Sequence, residues 1–200
     1  VTDNADWSDA SDMAAVLDLE PLDRDLFRAH NASSARERRS LYGGQVAAQA
    51  LRAAGLTVEP DRHAHSLHGY FLRPGRADLP VILHVDRDRD GRSFSARHVR
   101  AMQDGKVIFS MLVSFHHDEP SATYDGVPTS ALTPPDGSAG GRGDGIMEMR
   151  EVTPMRVDGA RITYPDTMWV RVKHPIPDDR RLRACALTYL SDLGSGFGQL

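Results

Sequence analysis

Gly43-Gly44-Gln45-Val46-Ala47-Ala48-Gln49-Ala50-Leu51-Arg52-Ala53-Ala54-Gly55 is the stretch around which the rest of the chain must be arranged. Glycines open and close it, the marks of a helix entered through a tight turn and left by a residue free to take positive φ. Between them only Gln45, Gln49 and Arg52 are polar, and their i, i+4, i+7 spacing puts them on one narrow stripe. A helix that is apolar or small on every other side is a buried helix. Its alanines let a β-sheet approach closely, so the flanking sequence is expected to supply a sheet that wraps it.

The sequence downstream has the pattern of such a sheet. His65-Ser66-Leu67-His68-Gly69-Tyr70-Phe71-Leu72 ends at the turn signal Arg73-Pro74-Gly75, and Pro80 to Asp86 is a second run. Asp90-Gly91 and Asp104-Gly105 mark hairpin turns. Between them Ser93 to Gln103 alternates, with Phe94, Ala96, His98 and Arg100 on one face and Ser95, Arg97 and Val99 on the other. Lys106 to His116 is almost continuously apolar and predicts a central strand buried on both faces. A helix followed by a four-stranded antiparallel meander is an α+β unit, placed at residues 13–117. Before the helix, Met13 to Leu19 has helical spacing stopped by Pro21, and Asp25 to Ala32 reads as a short strand leading to the arginine-rich loop Arg36–Arg39.

Residues 118–145, rich in proline and then glycine, read as a linker. Ile146 to Val152 and Met168 to Lys173 then predict strands, and Arg181 to Leu193 a second helix apolar nearly all round. The order of strand, loop and buried helix thus begins again in residues 146–200, a weak internal repeat.

Composition bounds the function. The 200 residues, 40% hydrophobic and 26% charged, have the ordinary balance of a globular protein. A net charge of −4 and a pI near 6.1 disfavour a nucleic-acid partner or an anionic membrane surface. Cys185, the single cysteine, permits neither an internal disulfide nor a cysteine-built metal site and reads as a small buried hydrophobe. No apolar run approaches the ~18 residues of a membrane span. Residues 1–12 form an acidic, flexible tail unlike a signal peptide, so a cytoplasmic protein with no membrane partner is expected.

Gly43-Gly44-Gln45-Val46, the run His65 to Gly75, Ser93-Phe94-Ser95-Ala96-Arg97 and Gln103-Asp104-Gly105-Lys106-Val107-Ile108-Phe109 together resemble the bacterial acyl-CoA thioesterase II family. The match runs from Leu41 to Phe115 in order and spacing, and Ser191-Asp192-Leu193 on the second helix matches too. The resemblance implies a double hotdog fold, two curved antiparallel sheets each wrapped around a long helix. It also implies hydrolysis of acyl-CoA to fatty acid and coenzyme A, and a homo-oligomer. The family's catalytic aspartate falls on Asp192. Its threonine or serine and its glutamine come from strands after the second helix, so the second unit is expected to continue past Leu200.

The chemistry needs a group to deprotonate water and donors to stabilise an oxyanion. Asp192 is the candidate for the first through the resemblance; spacing alone favours a turn aspartate bonding the backbone near Gly194. Gly43, Gly44 and Gln45, at a helix N-terminus, are candidates for the second, with His65 as a further substrate-binding residue. No metal or organic cofactor is required. Arg87, Arg89, Arg92, Arg97 and Arg100 suit phosphates, yet the interleaved Asp86, Asp88 and Asp90 favour a solvated hairpin. Asp25 and His30 have the Asp-x₄-His spacing of hotdog hydratases without its surrounding residues. The alternatives are a non-catalytic acyl-CoA-binding or interaction module, because the sequence holds only the start of the second hotdog, and an enoyl-CoA hydratase, and thiol release separates them from a thioesterase.

Overall fold

The computed structural model describes residues 12–31, 40–122, 124, 134–137, 139–143, 145–152, 156–158, 161–163 and 167–193. The acidic tail before Asp12 and the loop Arg36–Arg39 lie outside them. Asp12 caps a short helix, α1 (Met13–Val16), by accepting from the Ala14 N–H at 3.1 Å. Two strands follow, β1 (Leu19–Asp23) and β2 (Leu26–Ala29), and then the buried helix α2 (Gly43–Gly55). Pro21 does not stop a helix but sits inside β1. That strand is at the sheet edge, where a missing N–H donor costs little.

Four long strands come next: β3 (Arg62–Phe71), β4 (Val81–Asp90), β5 (Phe94–Gln103) and β6 (Lys106–His117). All six strands join one antiparallel sheet in the order β1-β2-β4-β5-β6-β3. The expected meander is therefore corrected at its start, because β3 pairs with β6 and not with β4. Residues 72–80 are too long a connection for a tight hairpin and carry the chain to the other side of the sheet. By contrast β5 and β6 meet at Asp104-Gly105, whose φ values of 48° and 69° are those of a type I′ turn.

One face of the sheet packs on α2. Leu83, Val85, Val99, Met111, Val113 and Phe115 are buried there against Ala48, Ala50, Ala53 and Ala54 of the helix. Truncating one of the large side chains, as in Leu83→Ala, costs about 2–5 kcal/mol. The outer face is open, with Leu112 55% exposed, so β6 is buried on one side rather than on both. A sheet wrapped on a buried helix is the α+β hotdog arrangement that the motifs imply.

Gln45 and Gln49 of the polar stripe of α2 are also buried. Neighbours satisfy the stripe only in part, since Gln49 Oε1 and Arg52 Nε are buried without a hydrogen-bond partner among the described residues. Gln49 donates to the Val16 carbonyl and Gln45 to Asn31 Oδ1, each at 3.0 Å. Gly55 does not take positive φ: α2 ends on Leu56 in the right-handed region. Nor is the arginine hairpin wholly solvated. Arg97 is 1% exposed and donates to Thr57, to the Arg89 and Ala96 carbonyls and to Asp90. Arg87 clasps Asp25 at 2.8 and 2.9 Å, and Arg100 bonds Asp86 at 3.1 Å. The Arg87 fork holds the Asp25 carboxyl below its usual range, and Arg97 does the same to Asp90. Their contribution to stability is complete above the unfolded aspartate value of ~3.9 and is lost as pH falls through the lower folded values.

The stretch read as a linker contains a strand, β7 (Ala139–Gly143), which pairs with β8 (Met147–Glu151). After a hairpin of β9 (Arg156–Asp158) and β10 (Arg161–Thr163), β11 (Met168–Val172) joins β8 on its other side. The last element is α3 (Arg180–Ser191), capped by Asp179, whose carboxylate accepts from Arg181 N at 2.7 Å. It buries Cys185, Ala186, Thr188 and Tyr189 but leaves Leu187 68% exposed, so it is one-sided rather than apolar all round. Burial pushes the Cys185 thiol up to about 12.

Candidate active site

The entry to α2 determines what can gather there. Tyr42, its N-cap, is extended and offers no side-chain cap, so the amides of the first turn have no acceptor within their own helix. Its side chain turns to α3 instead. The Tyr42 and Tyr189 rings meet edge-on at 4.9 Å, and the Tyr42 hydroxyl donates to the Tyr189 carbonyl at 2.9 Å. That contact brings the end of α3 against the start of α2. Three residues on, Asp192 is the C-cap of α3, and its Oδ2 accepts from the Gly44 N–H at 2.9 Å.

The two glycines are required here for space. A Cβ on Gly44 would lie 2.2 Å from the Tyr189 carbonyl oxygen and 2.5 Å from the Tyr42 ring. A Cβ on Gly43 would lie 2.7 Å from Asp192 Oδ2 and 2.9 Å from the Phe71 ring. Only bare backbone lets the carboxylate reach the amides. The N-terminal dipole of α2 favours that charge by about 0.3–1 kcal/mol.

Gly43 also borders a cavity of about 350 Å³, walled by Leu41, Val46, Phe71, Leu72, Ile108 and Phe109. The Phe71 and Phe109 rings lie 4.7 Å apart, and Arg73 at the rim is held by the Val107 carbonyl at 2.7 Å. An apolar space thus ends at a glycine shared with a carboxylate and with amides at the positive end of a helix. Such an arrangement can hold an apolar chain and present a carbonyl to hydrogen-bond donors.

Of the residues chosen from sequence, the structure brings together Asp192, Gly43 and Gly44. The Gln45 backbone belongs to the same turn, but its side chain turns away to Asn31. His65 is not brought to the cavity, and this corrects its assignment. It sits on the outer face of the sheet, bonded to Ser114 Oγ at 2.8 Å and packed on His116 and Phe94. A bulge between Ala64 and Ser66 breaks the two-residue parity by which His65 and His68 would face opposite ways. Asp25 and His30 are also apart, one on Arg87 and the other on Glu20. Sequence reasoning passed over Tyr42, Tyr189 and Phe71. Tyr42 directly precedes the glycine pair, and Tyr189 lies one helical turn before Asp192, both readable cues.

Sheet, central helix and cavity define a hotdog protein. The profile of the acyl-CoA thioesterase N-terminal domain matches residues 32–116. Acyl-CoA thioesterase II TesB2 of Mycobacterium marinum is 37% identical, with a TM-score of 0.71 over 90% of this chain and 66% of that one. The tesB protein of Mycobacterium avium subspecies paratuberculosis is 32% identical, with a TM-score of 0.73 over 90% of this chain and 68% of that one. Human acyl-coenzyme A thioesterase 8 is 45% identical over 124 residues, 62% of this chain. The chain belongs to the acyl-CoA thioesterase II family, as its motifs imply. It spans 38% of the length of the human relative.

Proposed function

We propose that the protein hydrolyses acyl-CoA to a free fatty acid and coenzyme A, with Asp192 as the general base. The observation that carries this reading is the 2.9 Å contact between Asp192 Oδ2 and the Gly44 N–H beside an apolar cavity. The acyl chain occupies the cavity walled by Leu41, Val46, Phe71 and Ile108, which brings the thioester carbonyl to the first turn of α2. Asp192 takes a proton from water as the water oxygen attacks the carbonyl carbon. The Gly44 N–H orients that carboxylate, so the Gly43 and Gln45 N–H groups are left to receive the oxyanion. Collapse of the tetrahedral intermediate breaks the carbon–sulfur bond, and the departing thiolate is protonated. His65 has no part in this scheme.

The test is thiol release from an acyl-CoA by the Asp192→Asn protein. The turnover rate should fall by about 10²–10⁴-fold with the circular dichroism spectrum unchanged. Wild-type turnover in a folded variant would remove Asp192 from the chemistry.

The same reading places one hotdog unit at residues 13–117 and the start of a second at 146–200, which β7 joins through its pairing with β8, in a cytoplasmic homo-oligomer serving fatty-acid metabolism. Association is supported by β3, an edge strand with Leu67 and Phe71 exposed along it and Leu72 exposed just past its end. Sedimentation as a monomer would exclude the oligomer, and cell fractionation tests the location.

A further inference from the structure

The far end of the helix pair bears on the site. Arg181 stands in the first turn of α3, and its guanidinium reaches across to the chain leaving α2. Its Nη1 donates to the Gly55 carbonyl at 2.8 Å and its Nη2 to the Glu59 carbonyl at 2.7 Å. Its own backbone N–H is held by the Asp179 cap at 2.7 Å. The fork therefore links the start of α3 to the end of α2, with little freedom at either side. Asp192 lies eleven residues further on, about 16 Å along the helix axis. Between these points α3 is an uninterrupted helix, which transmits an axial shift rather than absorbing it.

We propose that Arg181 is a positioning residue that sets the axial register of α3 on α2, and through it the placement of Asp192 over the Gly44 N–H. The inference rests on the role given above to Asp192, but its geometric half does not. A slide of α3 by about 1 Å would stretch the 2.9 Å contact beyond hydrogen-bonding range. Misplacement of a reacting group on that scale costs on the order of 10²-fold in rate. A guanidinium suits this task because its two nitrogens diverge to meet two carbonyls in one plane. A lysine ammonium is a single point and would hold the register only in part.

The experiment compares Arg181→Met, Arg181→Lys and Asp192→Ala by two readouts. The first is the amide resonance of Gly44, which reports the carboxylate contact without reference to turnover. It should move in Asp192→Ala, move in the same direction in Arg181→Met, and return toward the wild-type position in Arg181→Lys. The second is acyl-CoA hydrolysis well below the melting temperature. Arg181→Met should lower kcat by about 10–100-fold with KM within about twofold, and Arg181→Lys should recover part of that loss. A Gly44 resonance that stays in place in folded Arg181→Met overturns the register inference. So does a kcat that falls only in proportion to the folded fraction. If the resonance moves as expected while Asp192→Ala hydrolyses at the wild-type rate, the register holds and the catalytic reading fails instead.

Discussion

At its first turn α2 points the Gly44 N–H at Asp192, and at its last it points a carbonyl at Arg181. Both partners come from α3, which runs antiparallel beside it. Each charge is adverse on its own helix: an aspartate at the C-terminal end of α3 and an arginine at its N-terminal end. Both become favourable once the neighbouring helix is counted, because antiparallel packing sets each end of α3 against the opposite pole of α2. The two ends differ in one respect that bears on function. The near end sets its charge on a glycine amide beside a cavity of about 350 Å³. The far end uses its charge on backbone carbonyls beside a cavity of only about 50 Å³.

Substitutions at the two ends should separate these roles. The largest effect is at Asp192, where the asparagine variant described above should lose turnover and change stability by less than about 1 kcal/mol in a urea melt. Next is Gly44→Ala. Its new methyl meets the Tyr189 backbone, which cannot swing aside, so the helices must part and the protein should lose about 3 kcal/mol in the same measurement. At the far end, Arg181→Met gives up two partly exposed hydrogen bonds, for a loss of about 1.5 kcal/mol. Smallest is Gly55→Ala. A Cβ there would meet nothing within 4 Å and φ is not positive, so alanine should stabilise the helix by about 0.5 kcal/mol. If Gly44→Ala and Gly55→Ala behaved alike, the close approach at the near end would be discounted.

What could be read from the sequence follows from range. α2, its burial and the hairpin at Asp104-Gly105 rest on local spacing and turn chemistry, and they form where expected. The placement of β3 beside β6 depends on a crossover that local pattern does not encode. His65 was misplaced by a bulge, which shifts parity without any glycine or proline to announce it. The burial of Arg97 needed Thr57 and Asp90, residues far from it or across a turn, to supply acceptors. Asp192 is the instructive case. Within its own helix the dipole argues against a functional carboxylate there, and only the family resemblance singled it out. The physical reason lies on α2, at Gly44, far upstream in the chain.

Cys185 has a practical bearing on all the turnover measurements. The residue is 2% exposed, and at neutral pH the buried thiol carries essentially no thiolate. A chromogenic disulfide added to count liberated coenzyme A will therefore draw no colour from the native protein. One equivalent per chain should emerge only on denaturation, so a single reagent reports product in one regime and loss of structure in the other.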